Sequence, residues 1–139
     1  MAELKHVSYE RLWVTLLERD WRSLAVVPAT DGAAVSSVAR GVARAGSQYC
    51  GQPVRLLNAE TAQFGESRRL LESLSEGGLH GTVISTGSPA ESETALLLVR
   101  NVDAVLLVVP LERTRVLELR RLGDEIGRDR IVGAVIAEG

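Results

Sequence analysis

The chain has 139 residues, 45% hydrophobic and 24% charged, which suits one globular domain over residues 1–139 with a single continuous core and no linker. A formal net charge of −2 supplies no general electrostatic drive toward nucleic acid or an anionic membrane. The lone Cys50 excludes an internal disulfide, and no apolar run approaches a membrane span or opens the chain as a signal peptide would, so the expected setting is the cytoplasm.

In chain order, Tyr9, Leu12, Trp13, Leu16 and Leu17 fall on one stripe of a helix expected over Val7 to Asp20. An apolar strand, Leu24 to Val27, then meets a turn of small residues, Pro28 to Gly32. A helix follows whose core positions are Val35, Val38, Ala39 and Val42, closed near Ala45-Gly46. A second strand is expected at Val54 to Leu57, a helix at Glu66 to Leu74 and a third strand at Thr82 to Ser85. The loop Thr86 to Pro89 leads into a helix over Glu91 to Val99, which presents Ala95, Leu98, Val99 and Val102 to a core. Ala104 to Val109 and Ile131 to Ala137 read as strands covered on both faces, separated by a helix with Val116, Leu119, Leu122 and Ile126 inward. Strands alternating with helices at this rhythm require parallel pairing through crossovers. The fold class is therefore α/β: three layers, α/β/α, around a mostly parallel five-stranded sheet.

The order strand, small-residue loop, helix is how phosphate-binding α/β domains begin, because unpaired N–H groups at a helix start attract anions. A P-loop also needs Gly-Lys-Ser/Thr at the junction, so that backbone approaches phosphate, an ammonium neutralises it and a hydroxyl holds magnesium. Here the junction reads Ala34, Val35, Ser36, and the chain's single lysine, Lys5, lies outside the loop. Ser36 and Ser37 are candidates for capping the helix or holding an anion, whereas Asp31 before Gly32 is a candidate N-cap that would repel phosphate.

Two stretches carry a family resemblance. The head, SYERLWVTLLERDWRSLAVVPATDG, and the last third, NVDAVLLVVPLERTRVLELRRLGDEIGRDRIVGAVIAEG, resemble the ATPase domain of the bacterial tyrosine kinases that regulate capsule and exopolysaccharide export, within the wider MinD/ParA-like class of ATPases. The resemblance implies a Walker A loop at Asp31 to Ser37, with only the hydroxyl of Ser36 matching. It places the second acidic motif on Leu57-Asn58-Ala59-Glu60, leaving the amide of Asn58 and a displaced carboxylate on Glu60, and the Walker B aspartate on Ser85. The base-reading asparagine falls on Ala137, and the oligomerisation pattern of the first helix falls on Val7, Glu10 and Trp13. Charge-assisted hydrogen bonds contribute about 1.5–3 kcal/mol each, against the roughly 8 kcal/mol that micromolar affinity needs. Losing the lysine and the metal carboxylates together removes most of the affinity for a nucleoside triphosphate, and phosphoryl transfer loses more still.

The remaining candidates have plain readings. Cys50 lacks a neighbouring His or Lys to activate it, and His6 and His80 lack metal-ligand spacing and read as surface residues. A hydrolytic triad of Ser85, His80 and Asp103 lacks a Gly-x-Ser-x-Gly elbow. Trp13 and Trp21 anchor the first helix to the sheet, or else Trp13, with Tyr9, contacts a partner. The resulting expectation is a pseudo-ATPase: no catalytic residue, no metal, no cofactor and no nucleic acid. Its partner is a protein or a second copy, with contact to a membrane-associated export complex but no insertion of its own. The alternative is a weak ATPase or tyrosine autokinase.

Overall fold

The computed structural model describes residues 2–3, 8–30, 34–110 and 116–137. Six strands form one sheet: β1 (Ala2–Glu3), β2 (Ser23–Pro28), β3 (Arg55–Ala59), β4 (Thr82–Thr86), β5 (Ala104–Pro110) and β6 (Ile131–Ala137). They lie in the order β1-β6-β5-β2-β4-β3, and every neighbouring pair is parallel. The five expected strands are all present. The addition is β1, a two-residue edge strand too short to show any periodicity.

Five helices connect the strands: α1 (Tyr9–Leu16), α2 (Val35–Cys50), α3 (Ser67–Leu74), α4 (Glu93–Asn101) and α5 (Val116–Ile126). Alternation along the strands feeds two cores. Leu24, Val26, Val83 and Leu106 point to the side where α1 and α2 supply Leu12, Trp13, Leu16, Val38 and Val42. Ala25, Val27, Ile84 and Val105 point to the other, where α3, α4 and α5 supply Leu74, Leu98, Leu122 and Ile126. Connections moving toward β3 thus use one face and those moving back use the other, as crossovers of a single hand demand.

α1 is shorter than its stripe suggests because both ends are closed by side chains. The Ser8 hydroxyl accepts from the Arg11 N–H at 3.2 Å, and the Trp21 indole N–H donates to the Leu16 carbonyl at 2.9 Å. α4 starts at Glu93 rather than Glu91, because Ser92 caps it through the Ala95 N–H. On α5 the expected core position Val116 is 65% exposed, while Leu122 and Ile126 are buried. Gly51, at φ 68°, ends α2 in the left-handed conformation that glycine tolerates.

Trp13 is 2% exposed, so it anchors α1 and does not reach a partner. Its ring meets Trp21 edge-on at 5.6 Å, and His80, expected at the surface, is half-buried against both, 4.8 Å from the Trp21 ring. His80 is held there at φ 55° by its N–H to the Trp21 carbonyl and by Nε2 bonding the Arg19 carbonyl at 2.8 Å. On the opposite face Arg130 donates to the Ile126 carbonyl at 2.9 Å, to that of Val102 at 2.6 Å and to that of Val99, tying the ends of α4 and α5 to β6. Burial lowers its pKa, with Asp129 and Asp103 pulling the other way.

α1 approaches α2 closely because α2 offers glycines. A Cβ at Gly46 would stand 2.6 Å from the Trp13 ring and 2.9 Å from Val54. Ala is the better helix former by about 1 kcal/mol, but the buried indole has nowhere to withdraw. Gly46→Ala is therefore expected to cost a net 1–3 kcal/mol or so in urea unfolding. Gly65→Ala, with nothing within 4 Å, should stay within about 0.5 kcal/mol.

Candidate functional site

In an open parallel sheet, ligands bind beyond the carboxyl ends of the strands, where connections leave to opposite faces. That place is the end of β2, whose helix α2 lies on one face while its neighbours β4 and β5 send α4 and α5 to the other. The backbone continues the strand for one residue, Ala29 N–H donating to the Val108 carbonyl at 2.9 Å. Asp31 and Gly32 lie outside the described residues.

α2 opens at Val35 with Ala34 as N-cap, and Ala34 offers no side-chain hydrogen bond to the first N–H groups. Ser36 and Ser37 sit inside the first turn and do not cap it; Ser36 is half-buried and Ser37 exposed. Val35, where the resemblance would place a lysine, is 3% exposed and belongs to the core with Val26, Val38 and Ala39. Its side chain packs into the interior.

Three other predicted positions converge. Asn58 on β3 pairs in register with Ser85 on β4, and Asn58 Oδ1 accepts the Glu60 N–H at 3.0 Å, turning the chain just past the strand. That turn brings the Glu60 carboxylate to the Ser85 hydroxyl, which donates to Oε2 at 3.2 Å; Ser85 is 2% exposed. The carboxylate is thus occupied locally, and among the described residues no three His, Cys, Asp or Glu side chains converge to hold a metal. His80 and Asp103 precede β4 and β5, at the opposite end of the sheet from Ser85. Asp103 Oδ2 there accepts the Arg22 N–H at 2.8 Å and the Ser23 N–H at 3.3 Å, so no triad forms. Tyr9 lies half-buried over Gly41, and burial pushes its hydroxyl pKa up.

One set of residues was missed by sequence reading. A crevice of about 350 Å³ lies between the end of β2, the loop before α4, and α5; Ala29, Thr30, Glu91, Glu118, Arg121 and Glu125 are among its lining residues. Glu118, Arg121 and Glu125 recur at i, i+3 and i+7, a stripe readable in the sequence that only the fold places beside the β2 loop. The stripe sets two carboxylates and one guanidinium, Arg121, along the crevice.

This arrangement, a wholly parallel sheet with β2 near its centre and helices on both faces, is a three-layer α/β domain consistent with the P-loop nucleotide-binding fold. No protein-family model and no curated protein matches the sequence. Solved structures do match. The chain is similar to the kinase domain of the Escherichia coli tyrosine kinase ETK, with TM-score 0.70 and 16% identity over 91% of this chain and 71% of that one. It is also similar to the VpsO kinase domain, with TM-score 0.67 and 13% identity over 98% and 89% of the chains. The chimerical protein CapA2B2 matches with TM-score 0.68 and 13% identity over 92% and 82%. The chain has the fold of these domains, the ETK tyrosine-kinase domain among them.

Replacing Ser85 by Asp restores the carboxylate that the resemblance would place there, but sets it against Glu60 in a buried position. Repulsion and burial raise the new group's folded pKa above its unfolded value near 3.9. Its stability contribution is then full below that value and lost as pH rises. Ser85→Asp should lower stability by about 2 kcal/mol or more at neutral pH, with the deficit shrinking toward pH 4 in chemical unfolding. A pH-independent deficit would contradict the Ser85 to Glu60 contact.

Proposed function

We propose that this chain is a pseudo-ATPase: a tyrosine-kinase scaffold that neither hydrolyses ATP nor phosphorylates tyrosine and instead regulates by contact with another protein or a second copy. The observation that carries this reading is the burial of Val35 in the core at the position where a phosphate-binding lysine would stand. The Glu118 and Glu125 carboxylates beside the β2 loop support it, because they add negative potential where a triphosphate would bring its own. Among the described residues no three His, Cys, Asp or Glu side chains converge to hold a magnesium ion, and Glu60 already accepts the Ser85 hydroxyl.

The sequence resemblance to kinases of capsule and exopolysaccharide export points to the same general setting: a regulatory subunit acting beside an envelope export or polar-localisation system in the cytoplasm. Among the described residues no helix is long and apolar enough to cross a membrane, so contact with a membrane complex would run through a protein partner.

Turnover of radiolabelled ATP with magnesium tests the catalytic half of this reading. The expected result is no phosphate release and no autophosphorylation above a protein-free control, alone or with a neighbouring kinase whose own active site has been disabled. Turnover that Ser36→Ala abolishes would instead establish a weak ATPase or autokinase.

A further inference from the structure

We propose that the groove between α1 and α2 is a docking site for an acidic segment of a partner protein, gripped by Arg40 and Arg44. The groove encloses about 400 Å³ on the outer face of the α1 and α2 layer, away from the β2 loop crevice. Gly41 and Ala45 lie along it on α2 and Tyr9 and Glu10 on α1, while Ser37, Arg40 and Arg44 recur at i, i+3 and i+7 along one stripe of α2.

Both arginines are exposed, and neither forms an ion pair or hydrogen bond within the described residues. Like charges one turn apart on a helix repel, and here no nearby acid relieves them; Glu10 is the single carboxylate of the groove and makes no ion pair with either. Two guanidinium forks about 6 Å apart along the axis match two carboxylates spaced one helical turn apart, each accepted bidentately. Gly41 keeps the floor low: a Cβ there would stand 2.3 Å from the Tyr9 ring, so the ring lies flush against α2 and leaves the space above it to an occupant. Complementary charge selects an acidic segment, and the half-buried Tyr9 ring beside the arginines offers apolar surface to a peptide's side chains.

This inference stands apart from nucleotide binding and can fail separately from it. The probe is a fluorescein-labelled, alanine-based helical peptide of about 16 residues with glutamates four apart, followed by fluorescence anisotropy against the whole chain. Binding is expected, weakened about tenfold by Arg40→Glu and by Arg44→Glu, less by Arg40→Gln, and unchanged by Arg68→Glu on α3, an exposed arginine on the opposite face of the sheet. Circular dichroism of each variant checks that the helices persist. No binding, equal weakening by Arg68→Glu, or stronger binding to phosphatidylserine vesicles than to the peptide would overturn the proposal.

Discussion

The fold depends on β2 being buried along its whole length. All six residues from Ser23 to Pro28 are withdrawn from water, with β4 on one edge and β5 on the other. Its alternate side chains belong to two different cores, so β2 cannot slip by one residue without exchanging Leu24 and Val26 for Ala25 and Val27 on both faces. That register fixes where the strand ends and α2 begins. It also fixes why Val35 is interior: the first turn of α2 lies directly over the sheet, and an apolar side chain at its first position completes the core begun by Val26. In this chain the position is filled by packing: Val35 is buried against Val26, Val38 and Ala39.

Internal contacts recur through the rest of the site. At the ends of β3 and β4 the polar residues are present, but they satisfy one another, Asn58 turning the backbone and Ser85 engaging Glu60. On the far side of β2 the α5 stripe brings Glu118 and Glu125 to the crevice. Each feature is ordinary alone. Together, among the described residues, the polar groups at the strand ends engage one another and the crevice beside β2 carries Glu118 and Glu125 with a single arginine, Arg121, while Arg40 and Arg44 stand without ion pairs on the outside of α2.

Much of the architecture was legible because it rests on periodicity. Ala104 to Val109 and Ile131 to Ala137 are strands as read, and Leu98 and Val99 face the core as their spacing requires. Legibility failed where a single tertiary contact decides. The end of α1 is set by the Trp21 indole, five residues beyond the Leu16 carbonyl it caps. His80 looked like a surface residue because nothing local shows that two tryptophans from elsewhere in the chain enclose it. Val116 fits the helical stripe of α5 yet stays exposed, because the helix meets the sheet only from Leu119 onward. For the site, the missing lysine was plain in the letters. That Val35 faces the core was legible too, from its helical spacing with Val38, Ala39 and Val42; that α5 turns its acids toward the β2 loop was not, since it follows from how that helix seats on the sheet.

Isothermal titration of the whole chain with ATP and magnesium asks most directly whether a triphosphate finds any balancing charge at the end of β2. The expected result is no heat beyond dilution up to millimolar nucleotide, an affinity weaker than about 4 kcal/mol of binding free energy. A saturable isotherm with a micromolar Kd would show that phosphate is accommodated despite Val35, Glu118 and Glu125, and would contradict the pseudo-ATPase reading.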